Sequence, residues 1–115
     1  MKNLTEVKLT NGGNKIVATY YISKVTIGEN ARRLKLLKPI LEDDSLDEFM
    51  KNTRLTCASL VCSLYDKDGE LLYPGDDAVD KMLEDLDFEV FDILCSEYSE
   101  INPLQSTLKA KKKKS

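Results

Sequence analysis

Three cysteines, a loop of alternating acids and two pairs of adjacent carboxylates are the side chains of this sequence best equipped for chemistry. Cys57, Cys62 and Cys95 are odd in number, and each sits within an apolar run such as Thr56-Cys57-Ala58-Ser59-Leu60-Val61-Cys62. They cannot all pair with one another, and thiols in such settings are expected to be buried and reduced. No histidine occurs anywhere in the 115 residues, which excludes His-based triads, Cys–His nucleophiles and His-containing zinc sites. Asp66-Lys67-Asp68-Gly69-Glu70 has some of the composition of a calcium loop. Placing Gly69 at the sixth position of such a loop, however, puts Leu64 first and Gly75 twelfth, where the ion requires oxygen ligands. That motif is expected to be a turn. Asp76-Asp77 and Glu84-Asp85 could cooperate in acid–base work, but no nucleophile, glycine-rich phosphate loop or metal-ligand cluster accompanies them. Helix caps and solvated helix faces account for the same residues. The expectation is a protein with no catalytic residues, no cofactor and no metal.

Charge is more informative than reactivity. The net charge of -3 hides a strong segregation. Residues 1–41 carry eight Lys/Arg and two Asp/Glu, residues 42–108 carry four against eighteen, and residues 109–115 carry five lysines and no acid. Two readings stand side by side: opposed faces with different electrostatic preference, or segments that neutralise each other within the fold. Arg32, Arg33, Lys35 and Lys38 could contact phosphate, but the acidic remainder would repel nucleic acid, so no nucleic-acid partner is expected. No apolar run approaches the roughly 20 residues that span a bilayer, and the N-terminus lacks the apolar stretch of a secretion signal. The protein is therefore expected to stay in the cytoplasm where it is made.

The elements that position these side chains follow from periodicity. In Leu4-Thr5-Glu6-Val7-Lys8-Leu9-Thr10 the apolar Val7 and Leu9 share one face. Asn11-Gly12-Gly13-Asn14 offers glycines for positive φ, and Ile16-Val17-Ala18-Thr19-Tyr20-Tyr21-Ile22 is rich in strand formers. A β-hairpin is expected, packed on helices because an isolated hairpin is marginal in water. Thr26-Ile27-Gly28-Glu29 has capping-box spacing, opening a basic helix that Pro39 would kink or end. Ser45-Leu46-Asp47-Glu48 repeats that spacing ahead of a central helix of about five turns, whose apolar stripe runs through Leu46, Phe49, Met50, Cys57, Leu60, Val61 and Leu64. Beyond the turn at 66–69, Leu71-Leu72-Tyr73 reads as extended. A short helix near 76–84 and a longer one near 87–101 follow, closed by Asn102-Pro103. The fold class is α+β, mostly α-helical, with an N-terminal β-hairpin. One domain is expected over 1–103, with a flexible lysine-rich tail over 104–115.

This order of features resembles the tail assembly chaperones of long-tailed bacteriophages, the group that includes those of lambda-like and HK97-like phages. The similarity spans roughly residues 4–103 and is most recognisable in Ala58-Ser59-Leu60-Val61 followed by Asp66-Lys67-Asp68-Gly69-Glu70. It implies a non-catalytic protein that holds the long tape measure protein soluble, helps recruit tail tube subunits around it, and is absent from the finished virion. It also implies a second, C-terminally extended form made by ribosomal frameshifting. Lys111-Lys112-Lys113-Lys114 lies where a slippery run of adenines would stand in the message. The family supplies no residue-level binding motif.

On physical grounds a helical chaperone can lay an apolar groove along the stripe of a helical client. That groove is expected between the central helix and the 87–101 helix, lined by Phe88, Phe91 and Tyr98. Arg32 and Arg33 join them as candidate partner contacts. The alternative, that these aromatics are ordinary core, stays open. So do two other functions: a minor structural or connector protein of a phage particle, and an acidic regulator that binds a host protein.

Overall fold

In the computed structural model, which describes residues 3–104, 108, 110 and 111, the alternating N-terminal segment becomes β1 (Leu4–Thr10). It pairs antiparallel with β2 (Ile16–Ser23). Val7, Leu9 and Ile22 turn inward, while Glu6 and Lys8 face solvent. At the hairpin turn the asparagines replace the glycines expected to do the work. Asn14 itself takes the left-handed φ of 60°, and the Asn11 carboxamide oxygen accepts from the amides of Gly13 (2.9 Å) and Lys15 (3.1 Å). Asparagine tolerates that conformation because its short polar side chain bonds locally.

The Thr26 capping box opens α1 (Ile27–Leu41) as its spacing predicts. Thr26 Oγ1 accepts from the Glu29 amide, and Glu29 accepts from the Thr26 amide at 2.8 Å. Pro39 lies inside the last turn, and the helix stops two residues later. α2 (Glu48–Val61) departs from expectation at both ends. Its cap is Asp47, whose carboxylate accepts from the Met50 amide at 2.7 Å, whereas Ser45 is held by Asp43 in a separate turn. Asp47, two residues further along the chain, takes the cap in place of the serine, since both residue types accept from the first-turn amides. At the other end Leu64 leaves the helix for a short strand, β3 (Leu64–Tyr65), so the helix has about four turns rather than five.

β3 completes a sheet of order β1-β2-β3, pairing with β2 through Tyr21 and Ile22. The turn that follows confirms the structural reading of its acids. Asp66 Oδ1 accepts from the amides of Asp68 (2.8 Å) and Glu70 (3.0 Å), and Gly69 takes φ +78°. The Asp66 carboxylate is thereby used within its own turn. Leu71 then bridges back to Tyr65 in the extended stretch. α3 (Ala78–Asp85) and α4 (Phe88–Ile101) complete the fold, with Asp87 capping α4 through the Val90 amide at 2.8 Å.

α2 is the hub. It touches α1, α3 and α4, and Cys57, Ala58, Leu60 and Val61 are all buried against residues such as Ile22, Met82 and Leu94. Each fully buried side chain of this size contributes about 1.5–3 kcal/mol through removal from water. Among the described residues no helix is long and apolar enough to cross a membrane. The lysine-rich segment expected over 104–115 lies mostly outside the described residues, as do Lys112, Lys113 and Lys114 of the lysine run.

Candidate partner-binding surface

The three thiols are not poised for nucleophilic work. Burial pushes the Cys57 thiol up to about 11, and neighbouring Cys95 adds to the effect. Burial likewise raises Cys95 to about 11 and lifts Cys62 despite the nearby Arg32 guanidinium. A thiol that holds its proton at neutral pH is a weak nucleophile and a poor metal ligand. Among the described residues, no group of three or more Cys, Asp or Glu is arranged to hold a metal ion.

What the fold does expose is apolar. On α4 the residues Phe88, Phe91, Cys95 and Tyr98 step by three and four and so form one stripe, while Leu94 is fully buried beside them. Two grooves, rather than one, open along this stripe. Near the start of α4, a groove of about 230 Å³ is walled by Phe49 and Met50 of α2, Met82 of α3, Leu86, and Phe88 and Phe91. Nearer the end of α4, a groove of about 400 Å³ is lined by Arg33 and Leu37 of α1, Leu55 and Leu60 of α2, and Cys95 and Tyr98. The crossing of α2 and α4, where Cys57 senses Cys95, separates them.

The five residues singled out in the sequence therefore fall into three places. Phe88 and Phe91 stand together in the first groove, edge to face with ring centroids 6.5 Å apart, a favourable aromatic geometry. Phe88 is 70% exposed, and Phe91 is half-buried. Arg33 and Tyr98 share the second groove, where burial raises the Tyr98 hydroxyl and the Arg33 charge pulls it back down. Arg32 belongs to neither. Its guanidinium donates to the carbonyls of Val61 (3.3 Å), Tyr73 (2.6 Å) and Gly75 (3.2 Å), closing the C-terminal end of α2 where the helix dipole favours a cation.

The facing wall of the first groove was not legible as surface. Phe49 and Met50 fit the apolar stripe of α2, yet Phe49 is 67% exposed. With Asp47 as the cap, Phe49 falls in the first turn, where the helix end overhangs the groove instead of the core. Locating that cap correctly is the one signal that could have found it.

No protein-family model and no curated protein sequence matches the chain. In three dimensions it is similar to the solved structure of the bacteriophage HK97 tail assembly chaperone, with a TM-score of 0.54 over 85% of each chain at 10% sequence identity. The likeness is one of fold, and it is the fold that the sequence resemblance implied.

Proposed function

We propose that this chain is a non-catalytic chaperone of phage tail assembly. In this reading it binds the tape measure protein, keeps that long helical chain soluble, and helps recruit tail tube protein, acting in the host cytoplasm and leaving before the virion is complete. The observation that carries the reading is the pair of open apolar grooves beside α4 on a fold shared with a tail assembly chaperone. Fold likeness alone would be an analogy. The grooves add a physical means of action, because an amphipathic client helix can shield its apolar stripe there until tube subunits cover it. Phe88, Phe91, Tyr98 and Arg33 are the contacts proposed from the two groove linings. Arg32 supports the framework behind them.

The test is co-expression of the chain with the long helical protein encoded beside it. The client is expected in the soluble fraction only with the chaperone, and the pair is expected to co-purify. Charged substitutions of the exposed rim, Phe49→Asp with Phe88→Asp, are expected to return the client to the pellet. Unchanged client solubility with that variant would overturn the proposed contact surface. Mass spectrometry of purified particles should find the chain missing, and its stoichiometric presence would favour a structural component instead. The longer frameshifted form is proposed from Lys111–Lys114. The codons there should read as an unbroken adenine run with an overlapping frame beyond.

A further inference from the structure

We infer that the groove walled by Phe49 and Phe88 receives an amphipathic helix whose apolar stripe is flanked by lysine or arginine. This deepens the chaperone reading and rests on it, since it names the chemistry of the client segment. Three observations lead there.

The first is the nature of the walls. They are helices α2, α3 and α4, whose backbone groups are mostly satisfied internally, so an extended peptide would find no backbone partners in the groove. An occupant must satisfy its own backbone, as a helix does. At about 230 Å³ the space falls below the roughly 300–1,000 Å³ of small-molecule pockets but can take one or two large side chains. The second is the rim. Phe49 and Phe88 are 67% and 70% exposed on facing elements, an arrangement that costs free energy in the unbound chain and is relieved when an apolar anchor lies between them. Met50 and Met82 at the floor can re-pack around different anchors.

The third observation is charge. Over residues 76–92 there are eight carboxylates and a single cation, Lys81. Glu48, Glu84, Asp85, Asp87 and Glu89 are all exposed on the helix ends that form the groove. Of the cations on the groove helices, Arg54 pairs with Asp80 at 2.8 Å, Lys81 pairs with Asp77 at 3.8 Å, and Lys51 acts on Asp43. The charge of the acids reaches Tyr20, whose hydroxyl is raised mainly by burial and further by Asp87 and Asp85, and Asp85 also raises the buried Tyr73 hydroxyl, with which it is hydrogen-bonded. The second groove carries Arg33 in its own lining, whereas no cation lines the first.

The test uses the full chain and a labelled synthetic helix of about 20 residues, long enough to populate helix on binding. Its leucines stand at i, i+3, i+4 and i+7 with lysines alongside, and a matched peptide carries glutamates in the lysine positions. Fluorescence anisotropy at low salt is expected to show the lysine peptide binding at least about tenfold tighter, with the advantage shrinking as salt rises. Phe49→Ser and Phe88→Ser are each expected to weaken it about tenfold or more, as buried aromatic anchors do. Val17→Ser, on an equally exposed apolar residue of the hairpin, is expected to leave it unchanged. Both phenylalanines are exposed, so the variants fold, which circular dichroism verifies.

Equal binding of the two peptides, or insensitivity to both phenylalanine variants, overturns the inference. Two further results would do so by naming another occupant. One is concentration-dependent self-association abolished by Phe88→Ser. The other is a tenfold gain in peptide affinity on replacing Lys111–Lys114 with serine, which would place the chain's own end in the groove. If both peptides fail while co-expression still keeps the client soluble, the groove chemistry is wrong and the chaperone reading stands. If the lysine peptide binds as expected and co-expression fails, the reverse holds.

Discussion

Around Ser23, Glu29, Tyr65 and Asn102, polar side chains from distant parts of the chain are matched to one another, whereas at the opposite end of α4 Phe49 and Phe88 stand in water among acids that cap helices or face solvent. In the first region Glu29, only 8% exposed, accepts from the Thr26 amide, from Ser23 Oγ at 2.9 Å and from the Tyr65 hydroxyl. Asn102, just past α4, accepts from the Val25 amide at 2.9 Å and donates to the Ser23 carbonyl at 3.0 Å. Those bonds tie the end of β2, the start of α1, β3 and the end of α4 into one junction. At the start of α4 the acids cap helices or face solvent, and the aromatic surface between them is left open. A chain that satisfies buried polar groups at one end of a helix and leaves apolar groups uncovered at the other is rigid where it must hold itself together and unfinished where another chain completes it.

The largest effect should come from breaking the closed junction. Glu29→Ala removes at once the acceptor shared by the Ser23 hydroxyl, the Tyr65 hydroxyl and the Thr26 amide that caps α1, and losses of this kind amount to about 3 kcal/mol or more. Urea denaturation followed by circular dichroism measures it. A cost below about 1 kcal/mol would show that the junction is not what holds the sheet to the helices, and the contrast between the two ends of α4 would dissolve.

An intermediate effect reports on the α2–α4 crossing. Burial raises Cys57 and Cys95 from 9.0 to about 11 in the folded protein. The unfolded chain therefore releases these protons first as pH rises. Its thiolates form near 9, so stability is fully present below that value and falls between pH 9 and 11. One pKa unit corresponds to 1.36 kcal/mol, so fully buried Cys57 contributes up to about 3 kcal/mol to the loss and partly buried Cys95 less. Tyr73, raised from 10.0 to about 12, extends the decline from pH 10 to 12. Cys57→Ala should flatten the slope between pH 9 and 11, whatever it does to stability at pH 7. An unaltered slope would mean that the crossing opens enough to admit water.

Much of this was legible before the structure. Thr26 and Glu29 announce the start of α1 by spacing, and Val7 and Leu9 announce the inner face of β1, because both signals are local. Glu29's second task was not legible, since its partner Tyr65 lies 36 residues away and nothing local marks the pairing. β3 escaped because two residues carry no periodicity, and Leu64 fits the stripe of α2 equally well. Arg32 and Arg33 look like one basic patch in sequence, but successive helix residues point about 100° apart. One therefore turns in to carbonyl groups and the other out to a groove.

The smallest effect on stability should come from the open end, and there the comparison is sharpest. Phe88 is 70% exposed, and its ring touches Phe91 only at the edge, so Phe88→Ser should change the unfolding free energy by no more than about 0.5–1 kcal/mol. The same substitution is expected to remove client binding. A residue whose loss is nearly silent in urea and severe in co-expression is kept for something outside the fold. If Phe88→Ser instead costs as much as Glu29→Ala, the phenylalanine is core after all, and the groove beside α4 is a packing gap with no client.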